Sequence, residues 1–345
     1  MSNIYSNELD DFESYFESIG DKKFHGKQLF RWLYEKKIKN IDEITDIKKD
    51  ILEKIKSDFS FEMIKIVKVE KDDDTRKYLF ELVDGEHIEA VLMMHDYGKS
   101  VCISSEVGCN MGCKFCESGR RKRVRVLEVY EMVEQILLIE EELGDRISHV
   151  VIMGIGEPFD NYDNIIKFIK IINSNFGLAI GARHITVSTC GIVPKIKEFS
   201  NLDLQVNLAI SLHAPNNEIR DKIMPINKAY PLEVLMPALK EYYSKTNRRL
   251  TMEYIMLDGV NDSDECALEL SKLLKGLNCY VNLIPYNETE NIQFKRSKMI
   301  QISSFYDILK KNDINVTIRR EFGGNISAAC GQLRSKEELK WNPFI

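Results

Sequence analysis

Cys109, Cys113 and Cys116 stand in the run Gly108-Cys109-Asn110-Met111-Gly112-Cys113-Lys114-Phe115-Cys116. At this C-x₃-C-x₂-C spacing each thiolate can hold one iron of a [4Fe–4S] cube, since such clusters are ligated by cysteine. No further cysteine lies in the next dozen residues, so a fourth iron is left open to a small ligand. Zinc is the alternative, but a structural zinc site takes four ligands, typically with a second C-x₂-C or a His pair. That fourth ligand is missing.

Other residues carry weaker signals. In Met153-Gly154-Ile155-Gly156-Glu157-Pro158 the glycines let backbone approach a ligand, and the carboxylate can accept from a bound amino group. A tight turn with no ligand has the same composition. Cys102 on an apolar strand reads by itself as a small core thiol, as do Cys190, Cys266 and Cys279. Glu89 reads as a strand carboxylate, set by alternation on a different side from Ile88. His213 reads by itself as a satisfied structural histidine. Directly after the cysteines, Arg120-Arg121-Lys122-Arg123-Val124-Arg125 places five basic residues in six positions. This is either a solvated charge run or a phosphate-contacting one.

The elements that must position these residues follow from hydrophobic period. Up to about residue 60, Leu29, Phe30, Leu33 and Tyr34 share one helical face, and Ile47, Ile51 and Ile55 repeat at intervals of four. This predicts a helical domain over 1–60. Its stretch from Lys22 to Trp32 is basic with interleaved aromatics, either an ordinary amphipathic helix or a nucleic-acid surface. Residues 61–98 predict a β-hairpin extension, with Asp84-Gly85 as its turn. From 99 to 334 strands alternate with helices. The strands are Val101–Ser104, His149–Met153, Ile185–Thr189, Val206–Ser211, Leu250–Leu257, Tyr280–Pro285 and Ile314–Arg319. Helical patterns between them include Val129–Leu143, Asn164–Ile172 and Leu232–Tyr243. That alternation predicts an α/β fold, a parallel sheet with helices outside, closing into a partial (βα)₆ barrel. Residues 335–345 remain as a tail. Reactive groups in such folds sit on loops at the carboxyl ends of strands, where the cysteine loop and Gly154–Glu157 both fall.

Composition bounds the function. A chain of 345 residues, 44% hydrophobic and 30% charged, is globular rather than disordered. No apolar run spans a bilayer, and Met1-Ser2-Asn3-Ile4 does not open a signal peptide. Eight cysteines without a secretory signal predict a reducing, cytoplasmic setting. A net charge of −6 means that any RNA contact must come from local basic patches.

The chain resembles the RlmN/Cfr family of radical S-adenosylmethionine (SAM) RNA methyltransferases along nearly its whole length. The matching blocks are Val101–Ser105, the cysteine loop, Met153–Pro158, Val187-Ser188-Thr189, Leu208–Pro215, Met224–Asn227, Asn282–Asn287 and Ala328-Ala329-Cys330-Gly331-Gln332-Leu333. The resemblance implies a radical-SAM barrel with a [4Fe–4S] cluster on Cys109, Cys113 and Cys116, and two SAM molecules per turnover. It implies that Gly156, Glu157, Ser188, Ser211, Leu212, His213 and Asn287 surround SAM. It implies a methyl-carrying Cys330, a resolving thiol at Cys102 and a proton acceptor at Glu89, since an sp² carbon of adenine is not nucleophilic enough to attack SAM directly.

The expected substrate is C2 of an adenosine in 23S rRNA, with tRNA as a further candidate. C8 methylation of the Cfr type, which alters the ribosomal antibiotic site, is the alternative. A radical-SAM activase would not need the Cys102/Cys330 pair, and a non-catalytic Fe–S module would not need Gly156, Glu157 and His213. An electron donor such as flavodoxin or ferredoxin, a monomeric state and no membrane partner complete the expectation.

Overall fold

The computed structural model describes residues 1–289, 291–320, 323, 326, 332 and 333. Cys330 and the tail expected at 335–345 lie outside the described residues. Near the N-terminus, helices α1 (Leu9–Ser18), α2 (Phe24–Tyr34) and α3 (Lys49–Asp58) pack together. The face of α2 drawn from the helical period is buried at Leu29, Phe30, Leu33 and Tyr34. Phe12 meets Phe30 edge-on at 6.3 Å between ring centroids, and Phe30 lies 4.6 Å from Tyr34. Gly26 sits inside α2 despite its low helix propensity. A Cβ there would fall 2.6 Å from the backbone nitrogen of Glu13, so only glycine lets α1 and α2 touch backbone to backbone. Part of the basic stretch is used internally: Lys27 lies 3.6 Å over the ring of Phe176 and Lys23 pairs with Glu13 at 3.1 Å.

One sheet of ten strands follows. Its strands are β1 (Lys65–Asp72), β2 (Thr75–Glu81), β3 (His87–His95), β4 (Gly98–Ile103), β5 (His149–Ile152), β6 (Ile185–Thr189), β7 (Asn207–Ser211), β8 (Leu250–Met256), β9 (Cys279–Pro285) and β10 (Asn315–Ile318). They pair strictly in chain order. β1 to β4 are antiparallel neighbours and β4 to β10 are parallel. The expected turn at Asp84-Gly85 is present, with Gly85 at φ +84° and Leu82 N–H donating to Glu86 O at 2.8 Å. The expected extension and the barrel thus share one continuous sheet. At its far ends, Arg320 on the segment after β10 pairs with Asp74 in the β1–β2 turn at 2.7 Å.

Helices cover the outside: α4 (Val129–Leu143), α5 (Tyr162–Asn173), α6 (Val193–Phe199), α7 (Asn217–Ile223), α8 (Leu232–Thr246), α9 (Asp264–Leu274) and α10 (Met299–Lys311). α4 is the most enclosed. A capping box joins Glu128 and Glu131 at its start, and Gly144 ends it in the left-handed conformation at φ +68°. Glu131, Glu134, Gln135 and Glu140 are buried, and each grips a different segment. Glu131 pairs with Arg125 at 2.8 Å, and Glu140 accepts from Lys37 Nζ at 2.6 Å and Ile147 N–H at 2.8 Å. Gln135 accepts from Ser104 N–H at 2.9 Å, and Glu134 accepts from Ile64 N–H at 2.8 Å. α4 therefore joins the N-terminal helices, the antiparallel strands and the barrel. No helix among the described residues is long and apolar enough to cross a membrane.

Candidate active site

The carboxyl ends of the parallel strands converge on a cavity of ≈ 160 Å³. After β4 come Cys109, Cys113 and Cys116; after β5, Gly156 and Glu157; β6 and β7 bring Ser188, Cys190, Ser211 and His213. Glu253 of β8, Ile284 of β9 and Arg319 after β10 complete the wall. Thus the motifs that follow separate strands in the sequence do share one site. Leu212 does not reach it: its side chain is 0% exposed in the apolar core, and only its backbone faces the neighbouring strands. Asn287 lies two residues past β9, half-buried and off the cavity wall.

The cysteine loop is fixed by its own backbone. Cys109 N–H donates to Arg121 O at 2.9 Å, Cys116 N–H to Cys113 O at 3.2 Å and Lys114 N–H to Ile223 O at 2.9 Å. Phe115 anchors it in an apolar cluster with Met224 and Tyr286. Burial, aided by the neighbouring thiols and carboxylates, pushes the Cys109 thiol up to about 12 and raises Cys113 too. These thiols are therefore held protonated until a cation draws the proton off, which is what iron does to a ligating thiol. Among the described residues no three His, Cys, Asp or Glu side chains converge to hold a single metal ion. Three cysteines that line one cavity without meeting at a point suit a cluster, where each binds a different iron, better than zinc.

Glu157 is 3% exposed and accepts from Phe159 N–H at 3.0 Å and Cys190 N–H at 2.7 Å, one bond to each oxygen. It ties the β5 and β6 loops together and keeps lone pairs free for an amino group in the cavity. Burial raises its pKa against those two amides. Gly156 has φ +113°, and a Cβ there would lie 2.6 Å from Glu106 Cγ. Glu106 accepts from Glu157 N–H at 3.0 Å and pairs with Arg123 at 2.9 Å; burial, opposed by Arg123, brings it up to about 7.

His213 adopts φ +55°. Its Nδ1 accepts from Ile255 N–H at 3.0 Å, and Phe115 meets the ring edge-on at 4.9 Å. Burial, reinforced by Arg220, lowers its pKa to about 3. It is thus a neutral imidazole with its proton on Nε2, a donor at the cavity wall.

Cys102 and Glu89 lie just outside this cavity. Cys102 is opposite Val91 in the β3–β4 register, and it packs with Val91, Met93, Ile155, Ile326 and Leu333. Glu89 shares the face of Val91 and Met93 by the two-residue pleat, while Ile88 faces the main core. Glu89 is 3% exposed, with Lys77 Nζ at 3.5 Å. Leu333 O accepts from Ser118 Oγ at 2.8 Å, behind the cysteine loop. Ile326 and Leu333 thus share one apolar cluster with Cys102.

The four arginines of the basic run are ion-paired, and Lys122 is exposed. Arg121 pairs with Glu86 at 2.7 Å, Arg123 with Glu106 and Asp160, Arg125 with Asp84 and Glu131, and Arg120 with Glu117 at 3.2 Å. These pairs lash the cysteine loop to the hairpin turn and to α4. The sequence reading also missed Glu253, Arg319 and the cavity-facing role of Cys190. A carboxylate in the apolar run Leu250–Leu257 was the available signal for the first. Cys266 and Cys279 are core thiols as expected.

Residues 2–60 match a family model described as the ribosomal RNA large subunit methyltransferase N-terminal domain, and residues 103–270 match the radical SAM superfamily. A Spiroplasma citri protein named "Probable dual-specificity RNA methyltransferase RlmN" is 51% identical, over 98% of this chain and 99% of its own. A Listeria monocytogenes protein of the same name is 52% identical, over 97% of this chain and 94% of its own. The crystal structure of a radical SAM methyltransferase from Sphaerobacter thermophilus superposes with a TM-score of 0.92 at 39% identity, covering 97% of this chain and 100% of that one.

Proposed function

The chain belongs to the RlmN family of radical-SAM RNA methyltransferases, and we propose that it places a methyl group on C2 of an adenosine in 23S rRNA, with tRNA as a second substrate. The relatives' shared name supports C2 over the C8 alternative. Cys109, Cys113 and Cys116 would hold the family's [4Fe–4S] cluster, which would supply the electron for reductive cleavage of SAM. Gly156 gives SAM close backbone approach, Glu157 accepts from its amino group, and Ser188, Ser211 and the Nε2–H of His213 line its cavity.

Cys330, as thiolate, takes a methyl group from a first SAM. That carbon would give a hydrogen atom to the adenosyl group released from the second SAM and bond to adenine, joining protein to RNA while the adduct passes one electron back to the cluster. Glu89 takes the ring proton. Cys102 then attacks the sulfur of Cys330; the sulfur–carbon bond breaks, a disulfide forms and a proton completes the methyl group. The observation that supports this reading is that Ile326 and Leu333, four residues before and three after Cys330 in the chain, belong to the same apolar cluster as Cys102. An activase or a passive Fe–S module has no use for that juxtaposition. Electrons come from a carrier such as flavodoxin or ferredoxin. Cys113 also lines an outer groove with Lys114, Arg120 and Lys295, which suits an acidic donor.

The deciding experiment uses denaturing gels. Cys102→Ala should accumulate a covalent protein–RNA adduct, whereas Cys330→Ala should form neither adduct nor product. Normal turnover by Cys330→Ala would sink the methyl-cysteine chemistry. Nucleoside mass spectrometry of the product separates 2-methyladenosine from 8-methyladenosine.

A further inference from the structure

Arg220 lies on the short helix α7, in a run, Asn217-Glu218-Ile219-Arg220-Asp221-Lys222, that reads as a solvated surface. It is nonetheless 0% exposed. Its guanidinium is saturated with hydrogen bonds. Nε donates to Leu212 O at 3.2 Å, Nη1 to Asn227 Oδ1 at 2.9 Å and Tyr230 O at 3.4 Å, and Nη2 to Cys190 O at 2.7 Å and Ser211 O at 3.4 Å. Every acceptor is neutral. Among the described residues no carboxylate pairs with it. Asp221 is exposed and connects to it only through Asn227, whose amide donates to Asp221 Oδ1 at 2.8 Å.

A buried charge without a counter-charge is among the most costly features a fold can hold. The other arginines around the site do not share it: Arg123 rests on Glu106 and Asp160, and Arg125 on Asp84 and Glu131. The missing anion belongs on the cavity side. Cys190 and Ser211, whose carbonyls Arg220 grips, line the cavity together with the three loop cysteines.

We propose that Arg220 is the fixed counter-charge of the iron–sulfur cluster and raises its reduction potential. The inference rests on the cluster assignment above. A cube bound by thiolates gains one more negative charge on reduction, and a cation fixed beside it favours the reduced form. Net charge and hydrogen bonding are what set such potentials, and a buried site screens the field least. Arg220 touches no reacting atom; it acts through the field and by holding the β6 and β7 loop carbonyls.

The test measures the cluster's electron paramagnetic resonance signal in anaerobically reconstituted protein, at ambient potentials fixed by mediators. At the wild-type midpoint, Arg220→Gln should lower the reduced-to-oxidised ratio about tenfold, a decade being about 59 mV for one electron. Arg220→Lys loses the fork's bonds but keeps the charge, and should change the ratio by less than about twofold. The exchange Asp221→Asn with Asn227→Asp leaves Arg220 and the chain's net charge unaltered but sets a carboxylate against Nη1. It should lower the ratio about threefold, and it keeps the test decisive if Arg220→Gln does not fold. An unmoved ratio in the neutralising variants, or an equal fall for lysine and glutamine, would overturn the proposal. Wild-type protein that takes up no iron would instead overturn the cluster assignment, and this inference with it.

Discussion

α4 and the cavity both bury polar side chains, but they treat them differently. On α4, Glu131 and Glu140 each meet a cation, and Gln135 exchanges bonds with the Ser104 backbone. Those groups join segments, and their electrostatics close within the protein. Behind the cavity, Arg220 has only neutral acceptors, and on its wall His213 is pushed neutral. There Arg220 binds no carboxylate directly among the described residues. The difference separates buried polarity that builds the fold from buried polarity that awaits a ligand.

The largest expected effect falls on the cavity. Replacing Cys109, Cys113 and Cys116 together by alanine should abolish the roughly four irons per chain that a cube implies, while unfolding of the apo-protein stays cooperative. Retained iron would dissolve the distinction at its centre. Next comes α4. Glu131→Ala strips Arg125 of its buried partner and should cost on the order of 3 kcal/mol in denaturant unfolding. A loss below about 1 kcal/mol would place that pair with ordinary surface pairs.

Glu134 sharpens the comparison because it is the exception on α4. One oxygen accepts from Ile64 N–H, the other has no hydrogen-bond partner, and burial raises its pKa to about 8. Its folded pKa lies above the unfolded carboxyl value of 4.5. Between the two the folded chain binds more protons, so stability falls as pH rises across that window, at about 1.4 kcal/mol per pH unit. Glu134→Gln should flatten that slope; urea midpoints from pH 5 to 8 in both proteins decide it. The smallest effect belongs to Arg121, paired with Glu86 near the surface. Arg121→Gln should change stability by less than about 1 kcal/mol. It should also leave the salt dependence of RNA binding unaltered, whereas a slope reduced by about one would return the residue to phosphate contact.

Much of the barrel was legible because short apolar, β-branched runs alternate along the chain with helical patterns. Ile185–Thr189 coincides with β6, Val129–Leu143 with α4, and Leu250–Leu257 overruns β8 by one residue. The cysteine loop was legible because its ligands are local. The remainder depended on partners distant in sequence. Glu131, Glu134 and Gln135 have the spacing of a solvated helical face and are buried because Arg125, Ile64 and Ser104 come against them. Arg220 looks like a surface residue until Cys190, Leu212 and Tyr230 are brought around it. The arginines after Cys116 look like an RNA surface until Asp84, Glu86, Glu106 and Asp160 are seen beneath them.

The order of the sheet has a consequence for how the protein is made. Each strand pairs with the strands just before and after it in the chain, so during synthesis the sheet can grow from one edge, with no strand inserted between two already joined. Domains emerge at roughly 5–20 residues per second, and the cysteine loop follows β4 directly. Its three thiols therefore leave the ribosome while the walls from β6 to β10 are still unmade. Burial, which drives Cys109 up to about 12, arrives last.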